Sequence, residues 1–330
     1  MDQSINNSFP PVLFIVGPTA SGKTETAIGC AKILGAEVIS ADARQFFRGV
    51  NIGTAKPDAK QLAACPHHFI DHLDASEEYS AGRFFDEAIE RMREIASRNK
   101  HIVVAGGSGL YVRVLLHGIF RSPRIPEDIR RNVREQYREN GLSSLQQELH
   151  ALDPVYMEMV DPQNPVRLMR AIEVCRATGR PYSEIRVSAL RHPPFRAFVA
   201  GIRLDRDRLY RRIDARTDAM IAGGLVDEVR MLLSRGVPGH AQAFRAVGYS
   251  EVLAYLAGTC EFDEMVRLIK QHTRNYAKRQ MTWFRKESVT EWYPVEDEAD
   301  VSSLPSKITE DYRAFKISLL SISTSTEVSP

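Results

Sequence analysis

Eight consecutive residues carry the clearest chemistry in this sequence. Gly17, Pro18, Thr19, Ala20, Ser21, Gly22, Lys23 and Thr24 follow the pattern G-x-x-x-x-G-K-[ST], between an apolar run and a helix-like stretch. Glycines in such a loop let backbone N–H groups converge on one anion, and the helix N-terminus adds the positive end of its dipole. Lys23 then reaches the outer phosphate, and the Thr24 hydroxyl holds Mg2+. A chance match somewhere in a chain of average composition is roughly a one-per-cent event, so the loop reads as a site for a phosphorylated ligand. That ligand need not be a nucleotide. The later apolar run 102–105 ends in Gly106, Gly107, Ser108 and Gly109, with no carboxylate where a phosphate-hydrolysing enzyme usually places the Asp that assists Mg2+. The available acid is Asp42, which closes the run 37–41. Strand carboxyl ends line the ligand crevice of a doubly wound sheet, so Asp42 and Ser108 are expected beside the phosphate loop.

The hydropathy pattern supplies the elements that must position these groups. Residues 12–16 are a short apolar run, 23–34 are helix-like and stopped by Gly35, and 37–41 and 102–105 read as further strands. Between them, Phe85, Ala88, Ile89, Met92 and Ile95 fall at helical spacing within 84–98. Alternating strands and helices predict an α/β fold, a P-loop NTPase-like core whose parallel sheet is flanked by helices. From Arg121 the texture changes: Pro123 and Pro126 break the chain, and 127–196 is charged, helix-like and proline-interrupted. We read residues 1–120 as the first part of the core and 121–199 as a helical insertion. Residues 200–300 are then the second part, with helix-like stretches at 206–233 and 264–284. The acidic, Ser-rich remainder, 301–330, reads as a tail with an unstructured end from Ser321.

Composition narrows the class. The chain has 330 residues, 44 Lys+Arg against 42 Asp+Glu, and 43% hydrophobic residues. This excludes wholesale disorder and a protein that holds polyanions through bulk charge. The charge is nevertheless uneven, because 266–286 holds Arg267, Lys270, Arg274, Lys278, Arg279, Arg285 and Lys286 with no acid, and Tyr276, Trp283 and Phe284 lie among them. Cations for phosphates and aromatics for splayed bases suit a single-stranded RNA loop. A second, mixed stretch runs through Arg121, Arg124, Arg130, Arg131, Arg134 and Arg138. Four cysteines without Cys-x-x-Cys spacing argue against a zinc ribbon or a disulfide framework and for a reducing compartment. No apolar run approaches a bilayer span of roughly 20 residues, and the first residues carry no signal-peptide pattern. A cytoplasmic monomer without membrane contact is expected. His67, His68 and His72, with Asp71 and Asp74, follow Pro66 and read as a loop instead of a metal site.

Leu209, Ile213, Arg216 and Met220 recur at spacings of four, three and four, which puts Arg216 on an apolar helix stripe. A cation aimed at a core needs a partner, either an internal carboxylate or an anionic ligand, unless it snorkels to water.

Taken in order, the phosphate loop, Asp42, Ala43, Arg44 and Gln45, residues 51–57 and residues 106–111 resemble the motifs of bacterial tRNA dimethylallyltransferases. Residues 164–174, Gly248 and Tyr249, and 278–285 continue the likeness across most of 12–285. The resemblance implies transfer of a dimethylallyl group from dimethylallyl diphosphate to N6 of adenosine 37 in a tRNA anticodon stem-loop, with Mg2+ at Thr24. It also implies that Arg216 contacts the diphosphate and that the RNA side of the insertion carries Arg130, Val166, Arg167, Leu168, Met169 and Arg170. Lys278, Arg279, Gln280, Trp283 and Arg285 would complete the RNA contact. Asp42 is then the general base for the N6 proton or an outer partner of Mg2+, Ser108 supports the same site, and Gln45 hydrogen-bonds an adenine edge. Ala43, Phe47, Asn51 and Ser108 depart from the residues usual in the family, and no zinc-finger cysteines follow the core, unlike eukaryotic relatives. Three other readings stand beside this one: a P-loop small-molecule kinase, a prenyltransferase acting on free adenine nucleotides, and a non-catalytic RNA-binding module.

Overall fold

The computed structural model describes residues 9–120, 123–188, 190–287 and 289–325. The chain runs β1 (Val12–Val16), α1 (Lys23–Leu34), β2 (Ala36–Ser40), α2 (Ala59–Ala64), β3 (His67–His68), α3 (Ala81–Ser97), β4 (His101–Gly106) and α4 (Gly109–His117). It continues through β5 (Ile119–Phe120), α5 (Glu127–Leu152), α6 (Pro154–Met159), α7 (Pro165–Thr178), α8 (Tyr182–Ser188) and β6 (Leu190–Arg191). The last elements are β7 (Ala197–Leu204), α9 (Arg206–Ala222), α10 (Leu225–Ser234), α11 (Tyr249–Leu256), α12 (Phe262–Phe284), β8 (Glu291–Val295) and α13 (Glu298–Ser325).

Six strands form one parallel sheet in the order β3-β2-β4-β1-β7-β8. The fold is α/β, as the alternating pattern predicts. β1 is central and every residue in it is fully buried, which explains its unbroken run of apolar side chains. The register pairs Val16 with Gly106 and Ser40 with Ala105. The loops after β1, β2 and β4 therefore leave the sheet at one edge, and these are the loops that carry the phosphate motif, Asp42 and Ser108.

Two compact units divide the chain at 117–193 and the remainder, in place of the expected boundaries at 121 and 199. The later boundary moves because Ala197 already pairs with Val12 in the sheet. The smaller unit has its own core, in which α5 and α7 bury Val133, Leu145, Leu149, Leu168, Ile172 and Cys175. In the larger unit the stretch 206–233 is two helices, parted at Gly223 and Gly224. The expected tail is also structured. β8 extends the sheet, and α13 buries Leu304, Ile308 and Tyr312. Gly29 of α1 lets α13 approach, since a Cβ there would meet Pro305 Cγ at 2.5 Å. Ser321–Ser325 is helical, and 326–330 lie outside the described residues. Among the described residues no helix is long and apolar enough to cross a membrane.

Candidate active site

The phosphate loop bridges β1 and α1, and two side chains from distant helices brace it. Ala20 adopts φ +62°, a left-handed conformation that costs a non-glycine residue roughly 1–3 kcal/mol. Arg212 of α9 donates from Nε to the Ala20 carbonyl at 2.9 Å. Gln280 of α12 accepts the Thr19 N–H at 2.8 Å. Gly22 caps α1 without a side chain, so the first-turn amides of Lys23 and Thr24 find no acceptor within the helix and stay free to meet an anion. Lys23 Nζ donates to the Pro18 carbonyl at 2.5 Å. Burial, and then the nearby Arg216, pulls the Lys23 pKa down to about 8.

Arg216 stands one turn beyond Arg212 on α9, on the inward stripe expected of it. Its guanidinium has no ion pair among the described residues and only a long hydrogen bond, 3.5 Å, to the Thr54 carbonyl. Burial lowers its pKa, while the charges of Asp42 and Glu25 oppose that shift. Such a group is short of an anion.

Across from these cations, Asp42 lies two residues past β2 and accepts the Arg44 N–H at Oδ1, 3.0 Å. Ser108 Oγ accepts the Ala43 N–H at 2.9 Å, which ties the loop after β2 to the loop after β4. Arg44 donates from Nε and Nη2 to the Arg245 carbonyl at 3.2 and 2.9 Å. The Tyr276 hydroxyl of α12 lies beside Ser108; burial, and then the Asp42 charge, pushes the phenol up to about 12.

These groups line two adjoining lobes that share wall residues. One, about 540 Å³, is bounded by the phosphate loop, Arg212 and the wall of Ile52, Ala215 and Ala219. The other, about 360 Å³, is bounded by Asp42, Ala43, Arg44, Ser108, Tyr276 and Arg279. Lys23, Thr24, Ala55, Arg216 and Met220 border both. An anion held in the first lobe therefore lies next to a carboxylate and a hydroxyl in the second.

Several expected contacts fall elsewhere. Gln45 is buried, with its amide engaged by Ser40 Oγ at 3.0 Å and the Thr54 carbonyl at 3.4 Å, so it braces the wall instead of offering a free edge to a base. Gln280 is buried too, and its Nε2 donates to the Gly107 carbonyl at 2.7 Å; it borders the Asp42 lobe instead of the outer face of the helix. Leu168 is fully buried in the insertion core and Met169 packs against that core, because helical periodicity turns them inward with Ile172. Val166, Arg167 and Arg130 are exposed, and Arg170 pairs with Glu173 at 3.2 Å. His67 and His68 form the edge strand, with His68 Nε2 on Glu37 at 2.7 Å.

The basic run of α12 is split by its neighbours. Arg267 pairs with Glu264 at 2.6 Å, Lys270 with Asp218 at 2.6 Å, and Arg274 with Asp214 at 2.8 Å. Lys278, Arg279, Arg285 and Lys286 are exposed, with no ion pair among the described residues. Lys278, Arg279 and Lys286 join Asn275, Thr282 and Trp283 around a surface groove of about 490 Å³. The free charge is thus confined to the C-terminal third of the helix and the two residues that follow it.

One functional element escapes sequence reasoning. The Glu228 carboxylate accepts the Asn51 and Ile52 N–H groups at 3.0 and 2.9 Å and the Tyr249 hydroxyl at 2.5 Å. Lys56 donates to the Phe47 carbonyl at 2.8 Å and pairs with Asp71. Together they fix the loop 50–56, which walls both lobes. The signal was present: Glu228 shares an apolar stripe with Leu225, Val229 and Leu232, all buried, the same anomaly that singles out Arg216.

A phosphate loop and an unpaired arginine facing a carboxylate through one cavity define a P-loop protein built to bring a phosphorylated ligand against a second molecule. The sequence model of the IPP transferase family matches residues 45–287. The chain is 43% identical over 286 residues to a tRNA dimethylallyltransferase of Geobacter metallireducens, spanning 86% of this chain and 93% of the relative. A tRNA dimethylallyltransferase of Christiangramia forsetii is 40% identical over 283 residues, again 86% and 93%. The crystal structure of a tRNA isopentenylpyrophosphate transferase from Bacillus halodurans is similar at TM-score 0.67 and 34% identity, over 93% of this chain and 99% of that one. A eukaryotic dimethylallyltransferase described as acting on tRNA reaches TM-score 0.79 at 25% identity, over 96% and 80%. The chain belongs to the IPP transferase family, and it is a prenyltransferase.

Proposed function

We propose that this enzyme transfers a dimethylallyl group from dimethylallyl diphosphate to N6 of adenosine 37 in tRNA, releasing diphosphate. The observation that carries the reading is the pair of adjoining lobes. Its cationic lobe suits the diphosphate, its Asp42 lobe suits the adenine, and the shared border is where the allylic carbon would lie. In the proposed displacement N6 attacks C1 of the donor, the C1–O bond breaks, and its electron pair leaves with the diphosphate. The phosphate-loop amides, Lys23 and Arg216 stabilise that added charge more than the charge of the ground state. Asp42 accepts the N6 proton, and Ser108 holds the Ala43 backbone next to it.

The hard oxygens of Thr24 and Asp42, which line one cavity, are the donor type that Mg2+ takes. When bound, the ion would neutralise diphosphate charge. The free cations of α12 and Trp283 support an anticodon stem-loop contact, and Arg130 and Arg167 support a further one on the insertion. The four free cysteines suit the reducing cytoplasm.

The test is incubation with labelled dimethylallyl diphosphate and an anticodon stem-loop, read by mass spectrometry for one added five-carbon unit on the adenosine. Transfer to AMP but not to the stem-loop would sink the RNA assignment. Robust transfer of labelled phosphate from ATP to a small acceptor would sink the prenyl assignment.

A further inference from the structure

Gln280 occupies an unusual position for a residue in the last turns of a basic helix. Its Oε1 accepts the Thr19 N–H of the phosphate loop at 2.8 Å, and its Nε2 donates to the Gly107 carbonyl at 2.7 Å. One amide therefore joins α12 to the loop that would hold the diphosphate and to the loop that carries Ser108. The second loop is shaped around this contact. A Cβ at Gly107 would sit 2.5 Å from Gln280 Nε2, and one at Gly109 would sit 2.7 Å from the Trp283 ring. Ser108 is thus flanked by two glycines, each pressed beneath a side chain of α12.

The same helix turn faces outward with Lys278, Arg279 and Trp283 around the surface groove. Whatever fixes that outer face also fixes Gln280, because successive residues of one helix turn move together. The phosphate loop is the element that both sites bias. Lys23 Nζ donates to the Pro18 carbonyl, one residue before the Thr19 N–H that Gln280 holds. An incoming diphosphate competes for that ammonium and for the loop amides.

We propose that Gln280 is a positioning residue through which RNA bound on the outer face of α12 tightens the diphosphate site. This inference rests on the RNA reading of α12 and adds to it a coupling between the two ligands. Coupling of this kind is reciprocal, so each ligand must strengthen the other by the same factor, typically roughly 5–150-fold.

The experiment titrates inorganic diphosphate into the full chain, with Mg2+, alone and with a saturating anticodon stem-loop; the stem-loop is titrated separately with and without diphosphate. In the unmodified protein each ligand is expected to tighten the other about tenfold. In Gln280→Met, which keeps the volume and loses both hydrogen bonds, both factors should fall below about twofold, with the stem-loop's own affinity held within about threefold. A purely structural role would shift both affinities and leave the coupling factor intact. Equal diphosphate affinity with and without bound stem-loop overturns the inference and leaves the RNA reading standing. Failure of the unmodified protein to bind the stem-loop at all overturns both. Persistence of the tenfold factor in Gln280→Met also overturns the inference. If that variant has no cooperative melting transition, Gly107→Ala replaces it, since the new Cβ displaces the same amide from its other end. The same two results then decide.

Discussion

Lys23 offers the sharpest test of the site, because its environment turns a pH titration into a reading of cavity structure. Burial and the adjacent Arg216 bring its pKa down to about 8 from 10.5. Desolvation penalises the charged form, and no carboxylate close by offsets the cost fully. A bound diphosphate would supply that charge and raise the pKa again. Binding therefore takes up a proton once the pH exceeds the free-state value, and affinity is fully present below pH 8 and lost above it. With a free-state pKa near 8, the charged fraction is about 0.9 at pH 7 and about 0.1 at pH 9, so diphosphate should bind about tenfold more weakly at the higher pH. An unshifted lysine would stay almost fully charged over that range and predict no change. The stability of the ligand-free protein responds with the opposite sign. The native pKa lies below the unfolded one, so this group adds to stability as pH rises from about 8 to 10.5.

The assay is calorimetric titration of diphosphate at half-unit steps from pH 7 to 9.5. The same series on Lys23→Met subtracts the titration of the ligand itself. The slope of log affinity, after subtraction, should approach minus one per pH unit above pH 8. The fall should level off when the weaker contact of the neutral amine takes over, because a charge-assisted hydrogen bond adds only about 1.5–3 kcal/mol. A subtracted slope of zero through pH 9 would refute the argument. It would mean that Lys23 is solvated at its ordinary pKa and that the two lobes do not form the closed, cationic junction described above.

Three further outcomes are expected. Asp42→Asn keeps the shape and the Arg44 N–H contact but removes the proton acceptor; single-turnover transfer should slow by ~10²–10⁴ with unchanged stem-loop affinity, and normal turnover would rule Asp42 out as the base. Glu228→Gln leaves one carbonyl oxygen where a carboxylate served three donors. It should cost about 1–3 kcal/mol and lower the melting temperature by a few degrees, and a thermal scan showing no change would remove Glu228 from the support of loop 50–56. The double variant Lys278→Ala, Arg279→Ala should weaken stem-loop binding and flatten the slope of log affinity against log salt by about 1.4 for two phosphates. Arg274→Ala, by contrast, should leave that slope unchanged, because Asp214 already neutralises the guanidinium; an equal effect from Arg274 would contradict the division of α12.

What the sequence made legible follows from how local each signal is. The phosphate loop, Asp42 and Ser108 are short-range features, a spacing pattern and two strand ends, and the parallel register then brings them to one edge. Arg216 stood out because a charge on an apolar stripe is anomalous whatever lies opposite, and Glu228 could have been found by the same rule. β8 and α13 were hidden for physical reasons. Pro294 is tolerated only because β8 is an edge strand. The Ser-rich α13 fully buries Leu304, Ile308 and Tyr312, spaced by four, with Val301 and Phe315 only partly buried beside them. Partners remote in sequence are a different matter. Nothing within 266–286 distinguishes Arg274, held by Asp214 from α9, from Arg279, which pairs with no acid among the described residues. Gln45 and Gln280 likewise look like free amides until the Thr54 and Gly107 carbonyls arrive from other loops. Arg279 and Gln280 are consecutive, about 100° apart around the helix, so that Arg279 is exposed at the rim of the Asp42 lobe while Gln280 is buried against the phosphate loop. A motif read as one block of RNA contacts therefore divides into exposed cations and a buried amide on a single helix turn, the arrangement through which the proposed coupling would act.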